Sequence, residues 1–158
     1  MSLQKSAYVD VNPVIVVDGR KIVLAKRRFG IVGGGKWHLP GGRVRFKETI
    51  LDTLKRVSFA KTNIEVDLFY PNLKESLVGI YDDPLRDPRE HVISLAFLCK
   101  IKSGKIKPGE KVDSVRSFSE EQIGDLEIAF DHRETAKDAF ATIKTLNNFA
   151  LTGENLDR

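Results

Sequence analysis

The residues with the clearest chemical spacing lie between positions 42 and 64. Five residues separate Gly42 from Glu48, seven residues separate Glu48 from Arg56, and an aliphatic side chain follows at Ile64. A glutamate and an arginine at this spacing can pair, because the planar guanidinium matches a carboxylate with two hydrogen bonds. Taken alone, the pattern also fits a simple turn at Pro40-Gly41-Gly42 beside a surface ion pair, so its meaning depends on the surrounding elements.

The residues before this motif predict a β-hairpin followed by a loop. Two runs rich in β-branched residues, 11–17 and 21–25, flank Asp18-Gly19-Arg20. An Asp-Gly pair between such runs is a strong hairpin signal. Residues 28–42 contain six glycines and a proline, which predicts a loop with a short extended piece around 37–39.

A helix is predicted from about residue 49. Thr49 is a suitable N-cap, and Asp52 three residues later makes an imperfect capping box. Apolar residues then recur at helical spacing: Ile50, Leu51, Leu54, Val57 and Ala60. Residues 41–64 therefore predict a loop, a helix and a second loop.

The second half of the chain predicts further strands and two more helices. The strand-like runs are 75–81, 91–101 and 112–118, and the second is apolar enough to be central in a sheet. Ser103-Gly104 predicts a turn. Capping-box patterns at Ser119 with Gln122, and at Asp131 with Glu134, open a short and a longer helix. This mixture predicts an α/β (α+β) sandwich.

In this context the spacing resembles the Nudix box, G-x5-E-x7-R-E-U-x-E-E-x-G-U, in which U is aliphatic. Within that superfamily, the run WHLPGGRVRFKET is similar to the GDP-mannose mannosyl hydrolase branch, which shares the GGRV tetrapeptide. The resemblance covers about residues 8–145 and implies a Nudix-type α/β/α sandwich with a mixed sheet. The length of 158 residues predicts a single domain over 1–158, with a core at about 8–150, a short N-terminal arm and a C-terminal tail. The implied ligand is a small nucleoside-diphosphate-linked molecule, with a nucleotide sugar as a candidate.

The family holds Mg²⁺ or Mn²⁺ with carboxylates on one helix face, and the resemblance assigns the backbone carbonyl ligand to Gly41. The three box glutamates after Arg56 are replaced here by Val57, Ala60 and Lys61. The mannosyl hydrolase branch tolerates the first two losses but keeps the third glutamate. Lys61 in place of that glutamate reverses a charge near the metal position. At about 5 Å and an effective dielectric constant of about 20, this reversal makes the Coulomb energy of a bound dication less favourable by on the order of 10 kcal/mol before relaxation. The box is therefore degenerate, and metal dependence is predicted to be weakened or absent.

The resemblance also implies roles for individual residues. Arg27 and Arg43 match arginines that bind the leaving nucleoside diphosphate, with Arg28 as an alternative to Arg27. Gly41, Gly42, Glu48 and Arg56 are the structural residues of the box. From its place before the glycine pair, His38 is predicted to line the pocket, with local packing as the alternative. We hypothesise that the Lys61 ammonium neutralises a diphosphate where the metal would stand; the alternative is a lysine that faces solvent.

The catalytic group is not assigned by the sequence, and Glu48 is a candidate. Other acids could supply a base instead: Glu110, Asp113, Glu120 and Glu121. His91 is a further candidate site residue, whereas His132 is predicted to be a neutral surface residue near the start of the last helix. Three functions remain open: a hydrolase, an inactive module that binds a nucleotide or metabolite, and a scaffold with an empty pocket that dimerises through its sheet or its last helix.

Composition limits the partners. The chain has 26 basic and 22 acidic residues in 158, and this small excess of +4 falls short of a nucleic-acid-binding footprint. No apolar run approaches the ~20 residues needed to span a bilayer, so no membrane association is predicted. The single Cys99 is predicted to be a buried hydrophobic residue and fits a reducing cytoplasm. The resembled branch implies a homodimer.

Overall fold

The computed structural model describes residues 5–152, with side chains described as far as Phe149. The elements in chain order are β1 (Tyr8–Val17), β2 (Lys21–Arg27), β3 (Trp37–His38), β4 (Gly42–Arg43), α1 (Ile50–Thr62), β5 (Ile64–Leu68), α2 (Leu73–Ser76), β6 (Leu77–Tyr81), β7 (Val92–Gly104), β8 (Val112–Ser119), α3 (Glu120–Ile123) and α4 (His132–Thr152). The end of the predicted C-terminal tail and the first four residues of the N-terminal arm lie outside the described residues. Within residues 5–152, no helix has both the length and the apolarity to cross a membrane.

The strands form one mixed sheet with the order β3-β2-β1-β7-β5, to which β8, β4 and β6 add on β2, β1 and β7. Strands β1 and β7 run parallel, and the other pairs are antiparallel. Alternate residues of β1 face opposite sides, as the period of a strand requires. Val11 and Ile15 pack in one apolar cluster with Leu54 of α1, whereas Val14 packs in the other with Phe140 of α4. The sheet therefore lies between helices, which confirms the predicted mixed α/β sandwich.

Local signals before and within the box are confirmed. Strands β1 and β2 pair from Val17 opposite Lys21, and Asp18 and Gly19 between them have φ of 52° and 65°. Helix α1 has the predicted N-cap, because the Thr49 side chain accepts a hydrogen bond from the backbone N–H of Asp52. The Asp52 carboxylate in turn accepts one from the backbone N–H of Thr49. Cys99 is fully buried in β7.

Two predicted elements are wrong in part. Residues 75–76 belong to α2, because the Asn72 side chain accepts a hydrogen bond from the Glu75 N–H and opens a helical turn; only Leu77–Tyr81 is a strand. Ser103-Gly104 is the end of β7 rather than a turn, and it pairs with Glu65 and Ile64 of β5, a strand that the sequence reading missed.

The loop of residues 105–111, here called the docking loop, is bound to the C-terminal end of α1. The backbone N–H groups of Lys107, Gly109 and Glu110 donate to the carbonyl oxygens of Thr62, Lys61 and Ala60 at 3.0 Å each. These carbonyls belong to the last turn of a helix, which lacks partners within the helix itself. The docking loop satisfies them, and its last residue, Lys111, is thereby brought to the same cleft as Lys61.

Candidate functional site

A cleft of about 470 Å³ opens beside the loop that precedes α1. Its basic lining residues are Arg27, Arg43, Lys61, Arg86, Arg89 and Lys111, and its acidic ones are Asp10, Asp87 and Glu90. The sequence-predicted residues Arg27, His38, Gly41, Gly42, Arg43 and Lys61 all line it. Six basic groups against three acidic ones give the cleft a positive excess, which suits an anionic ligand.

Gly41 is required by a close approach of β1. A Cβ atom there would lie 1.9 Å from the side-chain oxygen of Asn12 and 2.4 Å from the carbonyl oxygen of Val11. The Asn12 side chain cannot easily move away, because it is buried and donates a hydrogen bond to the Ser94 hydroxyl. Without a side chain at Gly41, the loop packs directly on β1 and its backbone carbonyl reaches the cleft.

The ammonium of Lys61 donates a hydrogen bond to the carbonyl oxygen of Gly41. The side chain crosses from α1 to the loop and is partly buried, so Lys61 is not the solvent-facing lysine of the alternative reading. Burial, and next the neighbouring charge of Arg27, lower the pKa of Lys61 to about 8, while Asp10 partly opposes this shift. The ammonium therefore occupies a positive environment at the end of the box.

These residues do not form the oxygen-rich shell that Mg²⁺ prefers. The Gly41 carbonyl already accepts a hydrogen bond from a cation, and the preceding box positions carry Val57 and Ala60. Across the described part of the chain, no group of three or more His, Cys, Asp or Glu side chains is placed to hold a metal ion. A dication about 5 Å from the Lys61 ammonium would meet a repulsion of about 7 kcal/mol at an effective dielectric constant of about 20.

Glu48 and Arg56 form the predicted pair. Arg56 donates Nε–H and Nη2–H to the two carboxylate oxygens of Glu48, both at 2.8 Å, and the Thr53 hydroxyl donates to Oε1 at 2.6 Å. The hydrogen bonds from Arg56 are the main cause that lowers the pKa of Glu48 to about 2. Arg56 also donates to the carbonyl oxygen of Arg43 at 2.8 Å. Glu48 therefore fastens the loop that precedes α1 to the helix, and it does not line the cleft.

Arg27 is the arginine of β2 that enters the cleft, whereas Arg28 is exposed and does not line it. The Arg27 side chain is 8% exposed, and its Nε–H donates to the carbonyl oxygen of Val32 at 2.7 Å. Its guanidinium carbon lies 5.1 Å from the ring centroid of Phe130, and that of Arg89 lies 4.8 Å from the same centroid. Cation–π contacts at this range hold both guanidiniums at one ring.

Arg43 lies at the exposed side of the cleft with its charge already paired. Its Nη2–H donates to Glu90 at 2.8 Å and its Nε–H to Asp10 at 3.4 Å. The guanidinium also lies 3.8 Å from the ring centroid of Tyr8. By contrast, within residues 5–149, Arg27, Lys61 and Lys111 form no ion pair with a carboxylate inside 4.0 Å. These three unpaired cations are the groups best able to receive an anion.

Two buried histidines stand beside the cations. His132 is buried rather than on the surface as predicted, because its Nδ1 accepts a hydrogen bond from the Leu39 backbone N–H at 3.0 Å. Burial lowers the pKa of His132 to about 3 and that of His38 well below its usual value, so both rings are neutral at pH 7. The buried Nδ1 of His38 has no protein partner within the described residues. His91 is exposed and does not line the cleft.

Several lining residues were missed because they come from a loop between two strands. Arg86 donates to both carboxylate oxygens of Asp131 at 2.6 and 2.7 Å, so the side chain predicted to cap α4 instead binds this loop. Arg89 in turn pairs with Asp87 at 2.7 Å. The charged run from Arg86 to Glu90 was the available signal, but only tertiary structure places it at the cleft.

A second cleft of about 530 Å³ adjoins the first. The two clefts share five lining residues, here called the shared wall: Arg27, His38, Lys61, Arg89 and Lys111. Beyond the shared wall, the second cleft is lined by Gly30, Ile31, Val32 and Glu110. The unpaired cations thus lie between a largely polar cleft and one with aliphatic side chains.

The sequence matches the family described as "NUDIX domain" over residues 9–139. It is 35% identical over 133 residues to a protein of Methanocaldococcus jannaschii named ADP-ribose pyrophosphatase, covering 81% of this chain and 73% of that protein. That relative does not carry the mannosyl hydrolase name, so the narrower resemblance to that branch has no support from it.

Solved structures show the same fold. A bifunctional NMN adenylyltransferase/ADP ribose pyrophosphatase of Francisella tularensis, crystallised with AMP and a Mn ion, has a TM-score of 0.72 at 23% identity; the match covers 89% of this chain and 43% of that one. A NUDIX hydrolase from Nitrosomonas europaea has a TM-score of 0.73 at 19% identity, covering 87% of this chain and 90% of that one. With the family match over most of its length, the chain belongs to the Nudix family.

Proposed function

We propose that the chain binds a nucleoside-diphosphate-linked small molecule, with a nucleotide sugar as the leading candidate, and hydrolyses it with weakened or absent metal dependence. One observation carries the proposal: Arg27, Lys61 and Lys111 lie on the shared wall between two clefts and pair with no carboxylate of the described side chains. A diphosphate placed there would be neutralised by side chains, and its two substituents would extend into different clefts.

The different linings of the clefts support a ligand with two unlike substituents. The first cleft offers the polar groups of Asp10, Asn12 and Ser94 beyond the shared wall, and such groups suit a hydroxyl-rich sugar. The second offers Ile31 and Val32, which suit the less polar face of a nucleobase. This arrangement favours a nucleotide sugar over a simple nucleoside diphosphate.

The cations of the shared wall would assist hydrolysis by their positive charge. Guanidinium and ammonium groups on the diphosphate stabilise the negative charge that develops on the leaving group. Arg27 has its Nε–H engaged with Val32, which orients the rest of its guanidinium. The name of the M. jannaschii relative supports a hydrolase and makes ADP-ribose a candidate substrate.

A second candidate is a module that binds the same ligand without cleaving it. Glu48, the carboxylate predicted as a catalytic candidate, is held by Arg56 and Thr53 and lines neither cleft. The Lys61 ammonium donates a hydrogen bond to the Gly41 carbonyl oxygen. Both features remove groups that a metal-assisted hydrolysis would use.

Binding and product analysis separate the two candidates. ADP-ribose, GDP-mannose, UDP-glucose and ADP are tested by calorimetry, then incubated for hours at high protein concentration with EDTA or with Mn²⁺. Cleavage in EDTA supports the hydrolase as proposed, whereas cleavage that requires Mn²⁺ contradicts its reduced metal dependence. Binding without any product favours the binding module, and the absence of both binding and product refutes the proposal.

Three further features are proposed on the basis of the sequence. The single domain over 1–158 rests on the length of the chain, and the reducing cytoplasmic setting rests on the one buried cysteine. The homodimer rests on the resembled branch. Light scattering on the purified chain measures its mass directly, and a mass of one chain would contradict the dimer.

A further inference from the structure

We propose that the cleft selects the metal-free form of its diphosphate ligand, with Lys61 as a fixed counter-ion, so that Mg²⁺ weakens binding. This inference rests on the proposed function, because it concerns the ionic form in which the same ligand enters the same cleft. It differs from reduced metal dependence in the sign of the effect: the metal acts against binding instead of being dispensable.

The first argument is the position of the ammonium. The Lys61 side chain reaches from the C-terminal half of α1 to the Gly41 carbonyl and donates a hydrogen bond to it. An ammonium has three donors, so further N–H groups remain to bind phosphate oxygens. A dication bound at the same carbonyl would have to displace this hydrogen bond and lie against the remaining positive charge.

The second argument is the charge around the ammonium. Arg27, Lys111 and Arg89 all act on Lys61 as like charges, and Asp10 is the acid that opposes them. Arg27 and Lys111 have no carboxylate within 4.0 Å among the side chains described up to Phe149. This local field attracts a polyanion and repels a small dication. A magnesium–diphosphate complex is less negative than the free diphosphate and is attracted less.

Mass action then gives the size of the effect. If Mg²⁺ binds the ligand but not the cleft, it removes free ligand, and the apparent Kd rises in proportion to one plus the ratio of free Mg²⁺ to its dissociation constant for the ligand. At a Mg²⁺ concentration ten times that constant, the apparent Kd rises about elevenfold. A site that uses the metal as a bridge would show the opposite trend.

The experiment measures ADP and GDP binding by isothermal titration calorimetry at pH 7. Each titration is made with EDTA and with MgCl₂, and NaCl keeps the ionic strength equal because screening alone weakens charge interactions. The variants are Lys61→Glu and Lys61→Gln. Lys137→Glu is the matched control, because Lys137 is exposed on α4, lines neither cleft and undergoes the same change of charge. Thermal melting of each variant checks that it is folded.

For the wild type and Lys137→Glu we expect tighter binding in EDTA and an apparent Kd that rises with Mg²⁺ as calculated. Lys61→Gln and Lys61→Glu should lose at least tenfold in affinity in EDTA. Mg²⁺ should raise the apparent Kd of Lys61→Glu by a smaller factor than it raises that of the wild type. Binding in EDTA whose apparent Kd does not rise with Mg²⁺ overturns the inference and leaves the proposed function standing. Binding that requires Mg²⁺, or equal affinity of wild type and Lys61→Glu in EDTA, overturns the inference and also contradicts the part of the proposed function that assigns charge neutralisation to Lys61 in place of a metal. No binding of either nucleotide or of the nucleotide sugars under any condition overturns the proposed function itself.

Discussion

The two ends of helix α1 differ in what they keep of the box. At the N-terminal end, Glu48, Arg56 and Thr53 form a compact network with hydrogen bonds of 2.6 to 2.8 Å. At the C-terminal end, the acidic positions of the pattern carry Ala60 and Lys61, and Lys61 bonds to the Gly41 carbonyl. The loop keeps its place on α1 although these acids are absent, so the task of fastening the loop is separable from the task that the acids perform in the resembled pattern.

The largest effect is expected where the loop meets β1. Gly41→Ala should destabilise the fold by about 3 kcal/mol or more, because the new Cβ would collide with the Asn12 side chain and the Val11 carbonyl. Urea unfolding measures the loss. A change below 1 kcal/mol would mean that the loop shifts freely, and it would contradict the close packing that brings the Gly41 carbonyl to Lys61.

A pair of substitutions tests the separation of tasks directly. Arg56→Leu should lower the free energy of unfolding by about 2 kcal/mol, because it leaves the half-buried carboxylate of Glu48 without its charged donor. Lys61→Met should change that free energy by no more than about 0.5 kcal/mol, because it removes a poorly solvated charge. The unfolding curves of both variants are compared under one condition. Equal losses would show that the two ends stabilise the loop alike.

The smallest effect concerns pH. The folded-state pKa of Glu48 is lowered from 4.5 to about 2, mainly by Arg56. Its contribution to stability is therefore fully present above about pH 4.5 and is lost as the pH falls from there through 2. The difference in unfolding free energy between wild type and Glu48→Gln should narrow over that window. A constant difference from pH 6 to pH 2.5 would contradict the lowered pKa.

Sequence patterns predicted the elements whose signals are local. The Asp18-Gly19 turn, the Thr49 capping box and the Glu48–Arg56 pair depend on residues close in sequence, and all are found. Ser119 with Gln122 likewise caps α3. The partners in each of these interactions are at most eight positions apart, so the local sequence predicts the interaction without knowledge of the tertiary packing.

The misses depend on contacts between distant segments. His132 was expected on the surface because its own helix turn gives no reason for burial, but the Leu39 N–H, 93 positions earlier, bonds to it. Asp131 has the sequence context of a helix N-cap, yet its carboxylate accepts hydrogen bonds from the guanidinium of Arg86. The charged lining of the cleft from residues 86–90 could not be assigned, because nothing in the sequence tells which strand edge that loop covers.

The docking loop has a consequence for the size of ligand that fits. Peptide groups, not flexible side chains, join Gly109 and Glu110 to the last turn of α1, so the roots of Lys61 and Lys111 are held at a set separation. A Cβ at Gly109 would come within 1.9 Å of the Ala60 oxygen, which makes that glycine the point at which the spacing could be lost. Gly109 thereby sets how far apart the backbones of Lys61 and Lys111 lie, which limits the range of anionic groups that both amines can reach. Gly109→Ala would change this spacing without replacing either amine.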